Sequence, residues 1–326
     1  MKLHRRQFLQ LAVAAIVAVP AGSRAAWAQA YPTRPVRLLV GFAPGGVTDI
    51  MARLMGQRLS ERLGQQFFVE NRTGAATNVA TEAVVRAAPD GYTLLVSSAA
   101  NAINATLYEN LNFNFIRETT PIASIVGTPL VMVVNPSTSA KTVPAFIAYA
   151  KANPGKINMA SSGSGSPPHV AGELFKMMTG IKMIHVPYRG DVPAITDLLA
   201  GQVHVYFGTL PASIEYIRAG NLRALAVTSA TRLQALPNVP TMGEFLPGYE
   251  ASIWNGLNAP KNTPAEIIEK LNKEINASLA DPSLKTRIAE LGATPLPGSP
   301  ADYAKLLADE TEKWGKVVKL SGATPD

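Results

Sequence analysis

Two glycine- and serine-rich segments carry most of the chemistry that this 326-residue sequence could do. The first is Gly41-Phe42-Ala43-Pro44-Gly45-Gly46-Val47-Thr48-Asp49. The second is Ser161-Ser162-Gly163-Ser164-Gly165-Ser166-Pro167-Pro168-His169. Each stands between a strand pattern and a helix pattern. Glycines let a ligand approach the backbone closely, and free N–H groups at a helix N-terminus attract anions. The hydroxyls of Ser162, Ser164 and Ser166 add donors suited to a carboxylate. One such segment alone is an ordinary turn with Thr48 or Asp49 as a helix cap. Two of them, in different lobes, read as a shared anion cleft.

Catalytic readings fare worse. Ser162-Gly163-Ser164-Gly165-Ser166 lacks the order of a nucleophile elbow, and neither loop has a phosphate-loop ending or a dinucleotide fingerprint. Beyond residue 30 the histidines are His169, His185 and His204, none spaced for zinc, so no metal site is expected. His169 with Ser164 or Ser166 and Asp191 is the one arrangement that would make an exported serine hydrolase. A role bracing the loop or the helix start is preferred for His169, and His185 reads as a packed core residue. The chain has no cysteine, which removes thiolate chemistry and disulfides. The expectation is a binder with no catalytic residue and no cofactor.

The N-terminus points to where it works. His4-Arg5-Arg6-Gln7-Phe8-Leu9 leads into an apolar run at 11–19, then small residues ending in Ala26-Trp27-Ala28 or Ala28-Gln29-Ala30. Basic region, short apolar region and cleavage site make residues 1–30 a signal peptide of twin-arginine type, and a periplasmic location follows. The run is well short of the roughly 18 residues of a membrane span. Removing residues 1–30 takes away Lys2, Arg5, Arg6 and Arg24 and no acid, so the net charge of +7 falls to about +3. No later cluster interleaves basic and aromatic residues, so nucleic acid is not expected as a partner.

The remaining length suggests two lobes. Strand signals at Val36–Val40, 67–69, 93–96, 131–134, 157–160, 183–186, 203–207 and 224–228 alternate with helical stretches such as 48–63, 77–88 and 170–178. That alternation predicts an α/β fold with largely parallel sheets. The end of the chain is helical only. Thr263-Pro264-Ala265-Glu266 reads as a capping box, and Ser299-Pro300-Ala301-Asp302 starts another helix in a similar way.

Taken together, several fragments resemble one known family. Tyr31-Pro32-Thr33-Arg34-Pro35-Val36-Arg37 followed by Phe42-Ala43-Pro44-Gly45-Gly46 is similar to the mature start of the Bug-type receptors, the extracytoplasmic solute-binding proteins of tripartite tricarboxylate transporters. The resemblance continues through Val69-Glu70-Asn71-Arg72, Ala88-Pro89-Asp90-Gly91-Tyr92, His185-Val186-Pro187-Tyr188-Arg189-Gly190, the run from Ile217 to Ala226, and Leu236-Pro237-Asn238-Val239-Pro240-Thr241. It spans essentially the whole chain beyond residue 30.

The resemblance implies a type II periplasmic-binding-protein fold, with lobe 1 at 31–130 plus 253–326, lobe 2 at 131–252, a hinge, and a ligand trapped between the lobes. It implies a small carboxylate held partly through ordered water at Phe42, Ala43, Gly45, Gly46 and Val47. Ser98, Asn101 and Thr128 match further ligand-facing segments, and Ser162, Gly163, Ser164 and Ser166 would receive the other end. The implied partners are the membrane permease subunits. A monomer is expected, since dimer faces would obstruct closure. A ligand-presenting sensor for a membrane signalling partner is an alternative with the same receptor surface.

One departure bears on the ligand. Many members carry an Asp after the corresponding strand end, where this chain has Tyr206-Phe207-Gly208-Thr209. Gly208 cannot neutralise an ammonium and leaves space beside Thr209. The expected ligand is therefore a di- or aromatic carboxylate rather than an amino acid, with Phe42, Tyr188 or Trp254 as packing walls. Core packing is the alternative for Trp254. Arg189 could clamp a carboxylate, but pairing with Asp191 at the surface is the preferred reading.

Overall fold

The structure is a computed structural model and describes residues 31–321 and 323–325. The expected signal peptide at 1–30 lies outside these residues. No helix among the described residues is long and apolar enough to cross a membrane.

From Val36 the chain alternates as read: β1 (Val36–Val40), α1 (Val47–Leu63), β2 (Phe67–Asn71), α2 (Asn78–Val85), β3 (Thr93–Ser98), α3 (Ala99–Leu107) and the short α4 (Phe115–Glu118). Strand β1 lies between β2 and β3, parallel to both, with Leu38 beside Val69 and Leu94. Its near-continuous apolar run is buried, as a parallel strand covered on both faces requires. Helix α1 buries Met51, Met55 and Leu59, and ends at Gly64 in the left-handed conformation.

Strand β4 (Thr119–Val134) then leads to α5 (Val143–Ala152), β5 (Ile157–Ser161), α6 (Pro167–Thr179), β6 (Met183–Pro187), α7 (Asp191–Leu199), β7 (Val205–Thr209), α8 (Leu210–Arg218) and β8 (Arg223–Val227). The chain returns along β9 (Ser252–Pro260) and closes with α9 (Ala265–Ala280), α10 (Pro282–Glu290), the two-residue β10 (Thr294–Pro295) and α11 (Pro300–Ser321). Strand order is β2-β1-β3-β9-β4-β7-β5-β6, with β8 and β10 also on β4.

The expectation of largely parallel sheets needs correction. β1 with β2 and β3, and β5 with β6 and β7, are parallel, but every pairing of β4 or β9 is antiparallel. The reason is β4 itself. Over residues 119–129 it pairs with β9, and over 130–134 with β7 and β8, so one strand belongs to both sheets. Where it changes partners, Thr228 ties three segments: its hydroxyl accepts the Leu130 N–H at 2.8 Å and donates to the Ala251 carbonyl at 2.5 Å.

The helix starts near the C-terminus split. Ser299 and Asp302 cap α11 reciprocally, the Ser299 N–H donating to Asp302 at 2.8 Å and the Asp302 N–H to Ser299 at 3.1 Å. The predicted box at Thr263 does not form. Thr263 donates to the Pro260 carbonyl at 2.8 Å instead, and α9 has no side-chain cap.

Candidate ligand-binding site

Three strand-to-helix loops meet between the lobes. The first, from β1 to α1, is fixed by Asp49 in the first turn of α1. Its carboxylate accepts the Gly45 N–H at 3.0 Å, Arg53 through Nε at 3.0 Å and Nη2 at 2.9 Å, and Asn71 at 2.9 Å. Burial pushes this carboxyl up, but the hydrogen bonds from Arg53, Gly45 and Asn71 outweigh it and hold it below the ordinary value. Asn71 also donates to the Phe42 carbonyl at 2.9 Å. The loop is thus held from behind, and the N–H of Gly45 already has a partner.

In the second loop, from β5 to α6, the backbone largely satisfies itself. Gly163 N–H donates to Ser161 Oγ at 3.1 Å, Ser166 N–H to the Gly163 carbonyl at 3.0 Å, and Gly165 N–H to His169 Nδ1 at 3.1 Å. Pro167 and Pro168 open α6 and have no N–H to offer. An anion cradle of helix N-terminal amides is therefore not available here, and donors from this loop are chiefly hydroxyls. Gly165 adopts φ +81°, and a Cβ there would lie 2.7 Å from Leu107 Cδ2 and overlap Asn104 Oδ1, so the loop approaches α3 only because this residue is glycine.

His169 braces this loop. Its ring stacks on His185 at 3.8 Å with planes 7° apart, and burial, with His185 and Lys176 nearby, pushes its pKa down to about 3. It is neutral near pH 7, with Nδ1 accepting and Nε2 3.8 Å from Glu173. The expected core role of His185 is modified: it is half-buried, and its Nε2 lies 2.6 Å from Ser161 Oγ. A Ser–His–Asp arrangement is not assembled, because Asp191 is bonded elsewhere.

Asp191, at the start of α7, supplies the third loop. Its residue is 5 % exposed. One carboxylate oxygen accepts the Tyr206 hydroxyl and the other the Thr209 hydroxyl at 2.7 Å. A Cβ on Gly46, which ends the first loop, would stand 3.3 Å from Asp191 Oδ2, so this carboxylate reaches the N-terminus of α1. Burial pushes its pKa up despite those bonds, and it raises the Tyr206 hydroxyl in turn. The reading of Asp191 as the surface partner of Arg189 is therefore wrong. Arg189 is exposed and, among the described residues, has no ion-pair partner.

An inner cavity of about 20 Å³ lies beside Asp191, which is room for about one water. Of the predicted residues, Phe42, Gly46, Val47, Ser98, Ser162 and Thr209 line it, joined by Thr48, Asp191 and Ile253. An outer cavity of about 460 Å³ shares Phe42 and Ser162 with it and adds Gly163, Ser164, Tyr188 and Arg189. The remaining predicted residues sit apart from both. Ala43 and Gly45 shape the first loop. Asn101 donates to Thr77 and Thr81 at 3.2 and 2.7 Å and accepts the Ser98 N–H, so its polar atoms brace α2 against α3. Thr128 and Ser166 are buried with hydroxyls that lack a partner.

Gly208 leaves no space. A Cβ there would stand 2.5 Å from Tyr206 Cε1 and 2.8 Å from Ser213 Oγ. The Tyr206 ring fills the place, and its hydroxyl reaches Asp191. The cleft does hold an acid, brought by α7 rather than by the end of β7, so the argument against an ammonium loses its basis. Trp254 is core: it is buried, its indole donates to Glu310 at 3.2 Å, and it packs edge-on against Tyr303. Tyr188 lines the outer cavity and donates to Asp197 at 2.7 Å. Asp191 was the main residue missed, although an acid opening a helix after a third strand was a visible signal.

An α/β chain with two lobes around a polar cleft is a periplasmic solute-binding architecture. The chain belongs to the tripartite tricarboxylate transporter family receptors, a family of periplasmic solute receptors whose description matches residues 51–323. It is 40 % identical over 317 residues to Protein BugT of Bordetella pertussis, covering 96 % of this chain and 97 % of the relative. Among solved structures it resembles R. palustris Rpa4515 with adipate, with a TM-score of 0.88, 38 % identity and coverage of 91 % and 100 %. It also resembles MatC from Rhodopseudomonas palustris with bound malate, with a TM-score of 0.85, 31 % identity and coverage of 88 % and 100 %. The two solved structures hold adipate and malate, and the fold and the Bug-type resemblance read from the sequence agree with these matches.

Proposed function

We infer that this chain is an exported periplasmic receptor. It closes two lobes on a small carboxylate and delivers it, unreacted, to the membrane permease of a tripartite tricarboxylate transporter. The observation that carries this is the polar cleft: Ser162, Ser164, Tyr188 and the exposed Arg189 line an outer cavity of about 460 Å³ that shares Phe42 and Ser162 with the inner one. Serine hydroxyls and a guanidinium are donors suited to a small carboxylate. Adipate and malate in the two similar structures support the same ligand class.

In this reading lobe 1 is 31–130 plus 253–326 and lobe 2 is 131–252, and the change of partners along β4 at Leu130 supports that division. The ligand runs from the inner cavity past Phe42 and Ser162 toward Gly163, Ser164 and Tyr188. The protein needs no cofactor for this. A thermal-shift panel of mono-, di-, tri- and aromatic carboxylates tests it. Ligand at about 100 times its dissociation constant adds roughly 2.7 kcal/mol of stability. A shift with a carboxylate recovered unchanged supports the reading; no shift with any carboxylate, or consumption of the compound, overturns it.

A further inference from the structure

We propose that Asp191 and Arg189 make the cleft bipolar, so that the ligand carries one carboxylate at its outer end and a hydrogen-bond donor, neutral or cationic, at its inner end. This rests on the carboxylate-receptor reading and narrows its ligand class. The inner end of the cleft already holds the buried Asp191 carboxyl group. The Thr209 hydroxyl, a donor otherwise open to a ligand carboxylate, turns to Asp191 at 2.7 Å. Its two oxygens offer about four acceptor positions, and Tyr206 takes a further one. A second carboxylate entering here would face this carboxyl group, with the Tyr206 and Thr209 hydroxyls already donating to it, in a buried site with room for about one water.

An amide, hydroxyl or ammonium meets the opposite situation. The Thr209 hydroxyl can rotate to another acceptor, and the oxygen position it leaves takes the ligand's donor. The outer end has the complementary charge. Arg189 is exposed, unpaired among the described residues, and lines the outer cavity with Ser164 and Tyr188. Guanidinium pairs well with carboxylate. Only Gly190 separates the two charged residues in sequence, and α7 begins between them, so one loop places the acid inside and the base at the mouth.

The test is calorimetric titration of the exported protein at neutral pH with matched chains of four to eight carbons. Each length is presented as dicarboxylate, monoamide, ω-amino carboxylate and plain monocarboxylate. The expected result is a preference of about tenfold or more for the amide or amino form over the dicarboxylate. Asp191→Ala should abolish or invert that preference, and Asp191→Asn, which keeps the shape, should remove the part due to charge. Arg189→Ala should weaken all forms alike. A wild-type protein that takes dicarboxylates as tightly as their amino or amide counterparts overturns this inference alone. The same holds if both Asp191 variants, shown folded by circular dichroism, leave the ratio unchanged. Failure of the wild-type protein to bind any of the four series overturns this inference, and overturns the carboxylate reading as well if the thermal-shift panel is also silent.

Discussion

His169 and His185 lie ring on ring, 3.8 Å apart and 7° from parallel, and the loop that ends β5 hangs on this pair. Gly165 donates to one ring and Ser161 bonds to the other.

A pH dependence of stability follows. His169 is held neutral in the fold, with its pKa pushed from 6.5 to about 3, whereas the unfolded chain protonates it near 6.5. Its contribution is complete above pH 6.5 and is lost as pH falls toward 3, by about 1.4 kcal/mol per pH unit. Asp191, with a raised pKa, acts in the opposite sense: its contribution is complete below its unfolded value of 3.8 and is lost as pH rises through the folded one. Comparing melting temperatures of wild type and His169→Gln between pH 7 and pH 4 isolates the histidine. The variant should show the shallower decline, and parallel curves would remove His169 as the cause.

Thr228→Val should lower stability by about 1–3 kcal/mol, because the buried Leu130 N–H would lose the hydroxyl it donates to. Urea denaturation reads this as a fall in midpoint at constant slope. An unchanged midpoint would mean that the tie between β4 and the returning chain is not made by this hydroxyl.

Gly165→Ala places a methyl group against Leu107 and Asn104 across the closed cleft, at a backbone conformation that disfavours any side chain. The lobes should then be held apart. Small-angle scattering should show wild type compacting when ligand is added and the variant compacting little, and affinity should fall by about tenfold or more. Normal compaction would show that the loop has another way to seat.

Gly208→Asp restores the acid that many relatives carry, but the Tyr206 ring already fills that place. Overpacking should destabilise the protein by about 1–3 kcal/mol without improving binding of amino compounds. A stable variant with a new preference for amino acids would show that Tyr206 moves aside.

The sequence made some of this plain and hid the rest for identifiable reasons. The β1–loop–α1 unit was legible because an apolar run, a glycine pair and Met51, Met55 and Leu59 at helical spacing are all local. The first half of β4 was not, since Pro121 and Pro129 argue against a strand. Pro121 sits at a register irregularity and Pro129 at the end of the pairing with β9. Strand β9 was hidden by Asn255, Gly256 and Asn258, which read as loop. The two asparagines in fact bond buried partners, Thr48 and Thr119, from distant segments. The site was half legible for the same reason. Loops rich in glycine and serine announce themselves, but Asp191 gains its role from Tyr206 and Thr209, and nothing in its own neighbourhood says that they meet.

Strand β4 has a thermodynamic consequence. Because its 16 residues serve both sheets, neither lobe can melt without fraying a strand that the other depends on. Heat should therefore dissolve the molecule in one cooperative step, with calorimetric and van't Hoff enthalpies in agreement, even though it is built to open and close in two parts.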